Sequence, residues 1–181
     1  MKTATRENME LVSVIIPMYN AGQTIIRTLD SVKNQKYTGN FEIIIVDDGS
    51  TDQSAELVKT YILENGNLDI RLIQQRNSGV STARNVAMKE AHGNFIALLD
   101  ADDEWLPEKT ERQMKYFSDP DLKIDFLVSL WNNERLTFPY FIERKTGLVK
   151  ISLKQLLLKI TGQTSTAIFR KEVLQKTGFF D

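Results

Sequence analysis

Cysteine is absent from all 181 residues. That excludes a disulfide framework and any thiolate metal site, and it fits a reducing compartment, so a cytoplasmic protein is expected. Histidine occurs once, as His92 between a helical stretch and Gly93, where helix-terminal charge or plain exposure accounts for it and no catalytic role falls to it. Neither sign of charge is in excess: 23 lysines and arginines face 24 aspartates and glutamates, a net charge of −1. This gives no electrostatic case for binding nucleic acid or an anionic membrane, so any anion must be held by local chemistry. No apolar run approaches the roughly 20 residues that cross a bilayer, so no transmembrane segment is expected. The polar stretch 1–10 lacks the apolar centre of a secretory signal and reads as a flexible tail. The 4 prolines and 9 glycines are scattered, with no low-complexity tract or repeated unit.

What is present is a chain 41% hydrophobic, long enough for one substantial core, so residues 11–181 are expected to form a single domain. Val12 to Ile16 is a short β-branched run closed by Pro17, and Ile25, Ile26, Leu29 and Val32 then recur at helical spacing. Phe41 to Val46 is almost wholly apolar, the pattern of a strand covered on both faces, and runs into Asp47-Asp48-Gly49. Ser50 or Thr51 is expected to cap the next helix, with Asp52 near its positive end. Ile70 to Ile73 predicts a third strand, Gly79 to Ala91 a third helix, and Phe95 to Leu99 a fourth strand ending in the acidic loop Asp100-Ala101-Asp102-Asp103. The alternation predicts an α/β fold, a mostly parallel sheet with helices on both faces and a ligand crevice at the strands' carboxyl ends. Pro107 starts another helix that Ser118-Asp119-Pro120 ends. Farther on, Asp125 to Trp131 predicts a strand, Asn132 to Lys150 a hairpin or loop, and Ser152 with Gln155 a capped helix to Lys159. Thr164 to Phe169 reads as extended and Lys171 to Lys176 as helical.

Three strand ends carry polar groups able to do chemistry. Asp100 and Asp102, two apart, are expected to turn their carboxylates to one side while Asp103 faces elsewhere. Crowded carboxylates repel by about 1 kcal/mol per pair at ~4 Å in water, and a bound cation would relieve this. Oxygen ligands alone favour magnesium, manganese or calcium, and few protein ligands leave positions for substrate phosphates. A calcium EF-hand is excluded because the glycine and later glutamate of that motif are missing. The same residues also suit a solvated acidic turn before a helix. Asp47 and Asp48 cannot both enter one crevice from an extended chain: one would contact ligand, such as a nucleobase imide N–H, while the other supports the turn. An Asx-type turn that caps the helix is the alternative. Asn77 to Ser81 opens a helix whose amides could face a ligand, with Arg84 and Asn85 one turn inside; a plain cap with a surface arginine also fits.

Together, Ser13-Val14-Ile15-Ile16-Pro17-Met18-Tyr19-Asn20, Val46-Asp47-Asp48-Gly49-Ser50-Thr51-Asp52, Gly79 to Asn85 and Leu99-Asp100-Ala101-Asp102-Asp103 resemble, in order and spacing, the motifs of family 2 glycosyltransferases over roughly residues 11 to 110. Thr164 to Asp181 is similar to the family's later strand, helix and Gly-x-Phe-Asp segment. The resemblance implies a GT-A fold and a nucleoside-diphosphate-sugar donor, with uridine the commonest base. It implies that Pro17 and Tyr19 line the base pocket beside Asn20 and that Asp48 accepts from the base. Gly79, Arg84 and Ala101 would lie beside the nucleotide-sugar, Asp100 near the ribose or metal, and Asp102 on a Mn2+ or Mg2+ ion. It further implies inverting transfer to a glycan or lipid-linked acceptor in polysaccharide synthesis, in the cytoplasm or at the inner face of its membrane through peripheral association. The family's base follows the Gly-x-Phe-Asp segment, so it is expected beyond Asp181, leaving no catalytic residue within the chain. The expectation is therefore a domain truncated at its carboxyl end, able to bind nucleotide and deficient in transfer. Apolar residues near Trp131, Phe138, Tyr140 and Phe141 would be either an orphaned interface or a hairpin core.

A dinucleotide-binding dehydrogenase is disfavoured because the first strand leads to Pro17-Met18-Tyr19-Asn20 instead of Gly-x-Gly-x-x-Gly, and no P-loop occurs. A nucleotidyltransferase would need a glycine-rich basic loop after the first strand, which this sequence lacks. A non-catalytic nucleotide-sugar-binding domain remains the alternative.

Overall fold

The computed structural model describes residues 10–129 and 164–180. The tail up to residue 9, the expected 132–150 hairpin, the 152–159 helix, the apolar group around Trp131 and Asp181 lie outside these residues. The strands are β1 (Leu11–Met18), β2 (Asn40–Asp47), β3 (Asp69–Gln74), β4 (Phe95–Leu98), β5 (Phe126–Leu127) and β6 (Ile168–Arg170). The helices are α1 (Ile25–Lys33), α2 (Ser54–Glu64), α3 (Val80–Glu90), α4 (Lys109–Phe117) and α5 (Val173–Thr177). One sheet takes the order β3-β2-β1-β4-β6-β5. The first four strands are parallel, and β6 runs antiparallel to both β4 and β5.

Side-chain alternation builds two cores from these strands. Val12, Val14, Ile16, Ile43, Ile45, Phe95 and Ala97 pack with α1, α2 and α4 through Ile25, Leu29, Val58, Tyr61, Met114 and Phe117. Ile15, Ile44, Val46, Ile96 and Leu98 face the other way, onto Ala83, Ala87 and Met88 of α3. Fully burying each such aliphatic contributes about 1.5–3 kcal/mol. Being covered on both faces explains why β2 reads as an almost wholly apolar run, and the alanines of α3 let that helix lie close against the sheet.

At the amino edge, Glu42 is 1% exposed and binds four neighbours. It accepts from Ser13 Oγ at 2.5 Å, His92 N at 2.6 Å and Gly93 N at 2.8 Å, and pairs with Arg71 at 2.5 Å. One carboxylate thus fastens β1, β2, β3 and the entry to β4. Gly93 is needed there, since an added Cβ would lie 2.6 Å from the Leu11 carbonyl oxygen.

Several expectations are corrected. Strand β1 continues through Pro17 to Met18, because the β4 register ends at Ile15–Leu98 and Pro17 stands past it, where a missing N–H costs little. Neither Ser50 nor Thr51 caps α2: the helix starts at Ser54, and Asp52 Oδ1 accepts from Ser54 N at 3.0 Å. The strand expected over Asp125 to Trp131 is only two residues within the described part, and Thr164–Thr166 is a turn of 3-10 helix before β6.

Candidate functional site

Four parallel strands deliver their carboxyl ends to one edge, so Tyr19-Asn20, Asp47-Asp48, Gln75 to Gly79 and the acidic loop share it. The chain runs outward through β2 and β3 and returns across β1 to β4, with α1 and α2 on one face and α3 on the other. In open α/β sheets a ligand crevice forms where the strand order reverses, which here is between the ends of β1 and β4.

The residues after β1 and β2 form a stitched pair of loops. Asn20 sits at φ 49, its N–H donates to Ser50 Oγ at 2.9 Å, and its Oδ1 accepts from Thr51 N at 2.8 Å. Gly22 N donates to Asp52 Oδ2 at 3.0 Å. Pro17 is buried within β1, whereas Tyr19 projects, 52% exposed, at the crevice edge. Gly49 takes φ 78 where the chain turns away from β2, and a Cβ there would meet Asn77 N at 2.9 Å.

The two aspartates of β2 divide their work. Asp47 supports the turn, accepting from Ser50 N at 2.9 Å and from Gln74 Nε2 at 3.0 Å. Asp48 is 4% exposed and holds the loop that enters α3. Its Oδ1 accepts from Gln75 Nε2 at 2.7 Å and Ser78 N at 2.8 Å, and its Oδ2 accepts from Gly79 N at 2.9 Å. The amides of Ser78 and Gly79 are therefore already occupied by Asp48. An ionised carboxylate offers roughly four acceptor positions, so Asp48 retains capacity for one further donor at Oδ2.

The acidic loop is anchored from three sides. The Ala101 carbonyl accepts from Thr24 Oγ1 at 2.7 Å and Thr28 Oγ1 at 3.0 Å on the α1 side. Asp100 N donates to Ser165 Oγ at 2.9 Å, and Ser165 Oγ donates to Asp103 Oδ2 at 2.5 Å. Trp105 Nε1 donates to the Ser165 carbonyl at 2.7 Å. Asp103 thus turns to the β6 side, while Asp102 is exposed and its carboxylate has no hydrogen bond among the described residues. Asp100 Oδ1 pairs with Arg84 Nη2 at 2.6 Å. No group of three or more acidic or histidine side chains is assembled among the described residues. A hard divalent cation fits the oxygens of Asp102 and the second oxygen of Asp100 only as a site with few protein ligands, the kind completed by phosphate oxygens and water.

Helix α3 ties this loop to the carboxyl-terminal segment. Asn85 Nδ2 donates to the Phe180 carbonyl at 2.7 Å, and Phe180 N donates to Asn85 Oδ1 at 2.9 Å. The Phe180 ring centroid lies 5.7 Å from the Arg84 guanidinium carbon. An apolar cavity of about 390 Å³, lined by Leu98, Phe126, Phe169, Leu174, Phe179 and Phe180 among others, opens beyond that segment. Its apolar walls mark it as separate from the charged crevice. Near the loop, the Lys109 Nζ atom is buried 3.7 Å from the Trp105 ring centroid without an acceptor among the described residues, and burial pushes its ammonium down to about 7.

Of the residues singled out in the sequence, the structure links Asp48 to Gly79, and through α3 links Arg84 to Asp100. Asn20 and Ala101 bond to neighbouring loops and helix α1. Ser165 and the Asn85 clamp on Phe180 were not assigned roles from sequence. Ser165 lies 65 residues from Asp100 with no motif to connect them; Asn85 was marked only by its place beside Arg84.

The family profile described as Glycosyl transferase family 2 matches residues 13–178. The uncharacterized glycosyltransferase YibD of Escherichia coli is 44% identical over 112 residues, covering 62% of this chain and 32% of that protein. The E. coli protein WfaP, a UDP-Glc:alpha-D-GlcNAc-diphosphoundecaprenol beta-1,3-glucosyltransferase, is 42% identical over 111 residues, covering 60% of this chain and 41% of its own. These matches span about a third to two fifths of the relatives' length. The crystal structure of S. aureus TarS 1-349 with UDP-GlcNAc superposes with a TM-score of 0.72 at 26% identity, covering 95% of this chain and 48% of that one. The mannosyltransferase PcManGT of Pyrobaculum calidifontis, solved with GDP-Man and Mn2+, gives a TM-score of 0.74 at 22% identity over 97% of this chain and 49% of that one, a likeness of fold alone. The fold is GT-A, and with the profile match running from β1 through α5, this chain belongs to glycosyl transferase family 2.

Proposed function

We propose that this chain binds the donor for an inverting transfer of a sugar from a nucleoside diphosphate, with uridine as the base, to a hydroxyl of a glycan or lipid-linked acceptor in cell-surface glycan synthesis. The observation that supports the reading is the strand register, which brings Tyr19, Asp48, Asp100 and Asp102 to the carboxyl edge of β1, β2 and β4, together with the pairing of Arg84 with Asp100. Tyr19 offers an exposed ring against which a base can stack, and the remaining lone pair of Asp48 can accept an imide N–H from that base. Asp102 and Asp100 would hold a divalent cation, Mn2+ or Mg2+. When bound, that cation supplies stabilisation of the negative charge that develops on the departing diphosphate. Arg84 supplies a further positive charge from the opposite wall. The bonds from Thr24, Thr28 and Ser165 keep the acidic loop in place, so little reorganisation accompanies binding.

Calorimetric titration of uridine diphosphate with and without Mn2+, in the wild type and Asp102→Ala, tests this. Binding that strengthens with Mn2+ in the wild type and loses that gain in the variant is expected. Equal, metal-independent binding by both proteins would remove the metal assignment.

A further inference from the structure

Arg84 presents an unusual state for a residue beside a cation site. Its Nη2 lies 2.6 Å from Asp100 Oδ1, with the two side chains only 12% and 32% exposed. Its Nε is buried with no acceptor among the described residues. Both ends of the pair are tethered: the amide of Asp100 donates to Ser165 Oγ, and the guanidinium lies under the ring of Phe180, which Asn85 fixes through two backbone hydrogen bonds. An arginine side chain stays charged, and its planar fork suits phosphate oxygens as well as carboxylate. Arg84 therefore pairs with a carboxylate that stands two residues from Asp102.

We propose that Arg84 is an exchangeable counterion for Asp100. On the reading above, that Asp100 and Asp102 hold the cation, Arg84 occupies one of the cation's own oxygens while the crevice is empty and gives it up only when a diphosphate offers a replacement. A divalent cation arriving alone meets a fixed positive charge; a diphosphate arriving alone meets an arginine already engaged by Asp100. Arriving together they exchange partners: the diphosphate oxygens take the guanidinium, whose free Nε and Nη2 edge can bind them side by side, and the Asp100 carboxylate is released. Each ligand then raises the affinity of the other by the same factor. The ion pair thus acts as a lock against metal without donor, and Asn85, through Phe180, as the positioning residue that keeps the guanidinium within reach of both partners.

The test is Mn2+ binding read from the free-ion electron paramagnetic resonance signal, at zero and at saturating uridine diphosphate. It uses the wild type, Arg84→Gln, Arg84→Met and Arg84→Lys, with Asp102→Ala as the reference for ion not held by the protein. The wild type is expected to bind Mn2+ weakly alone and about ten- to a hundredfold more tightly with nucleotide, in the usual range of coupling. Either neutral variant is expected to bind Mn2+ without nucleotide about tenfold more tightly than the wild type and to lose most of the coupling; Arg84→Lys, still charged, stays near the wild type. Arg84→Met keeps the packed stem if the glutamine variant misfolds. Neutral variants that bind Mn2+ alone no better than the wild type, while the wild type binds it with nucleotide, overturn the exchange and leave the cation site standing. A wild type that holds no more Mn2+ than Asp102→Ala, even with nucleotide, overturns the cation site itself and the exchange with it.

Discussion

Replacing Lys109 with methionine is expected to stabilise the protein near neutral pH and to flatten its pH dependence above it. The ammonium has no hydrogen-bond acceptor among the described residues and faces the ring of Trp105, and burial lowers it from 10.5 to about 7. The unfolded chain restores the ordinary value. Between about pH 7 and pH 10 the unfolded state therefore holds a proton that the folded state has released, so stability rises with pH across that window and the penalty is full below it. At ~1.36 kcal/mol per decade the gap from 10.5 to about 7 amounts to at most ~5 kcal/mol. The cation–π contact with Trp105 returns roughly 2 kcal/mol of that to the charged form, leaving about 3 kcal/mol and moving the lower end of the window up to roughly pH 8. Methionine keeps an unbranched stem against the indole and cannot take a proton. Unfolding free energies of both proteins from urea titration should therefore differ by about 3 kcal/mol near pH 6 to 7, with the difference falling to about 2 kcal/mol near pH 9. A variant less stable than the wild type at pH 7, or a difference constant across the series, would refute the argument from a buried ammonium.

Two further substitutions address the amino edge of the sheet. Burial pulls the Glu42 carboxyl up, but Ser13 Oγ, the amides of His92 and Gly93 and the Arg71 guanidinium outweigh it and hold the group below the usual carboxylate range. Its stabilising contribution is thus present above the ordinary carboxylate value and lost as pH falls through the depressed one. Glu42→Gln should cost about 3 kcal/mol at neutral pH, leaving Arg71 without its carboxylate partner, and should lose part of the wild type's sensitivity to acid in denaturant melts. Gly93→Ala should be harsher than an ordinary surface change, by more than about 2 kcal/mol, because its methyl group would lie 2.6 Å from the Leu11 carbonyl oxygen; an unchanged melting curve would contradict the close approach.

The alternation of apolar runs and helical spacing made β1 through α4 legible before any coordinates, because each of those elements is local and its period alone reveals its type. The reading failed where the deciding partner was distant in sequence. Pro17 looks like a stop until the register of β4 is known to end beside Ile15, and the first amide of α2 is held by Asp52, which also holds Gly22 from the neighbouring loop. At the crevice the same division holds. The sequence by itself determined which acidic and aromatic groups stand at strand ends, since polar residues after buried apolar strands must emerge at the sheet's edge. Only the tertiary structure decided what each one touches: that Asp48 grips the amides of Ser78 and Gly79, that Arg84 closes on Asp100, that Ser165 steadies the acidic loop and Asn85 the Phe180 backbone. Hydrogen bonds and ion pairs are short-range and depend on direction, so their partners are fixed by how strands and helices pack, a contact order that spacing along the chain does not encode.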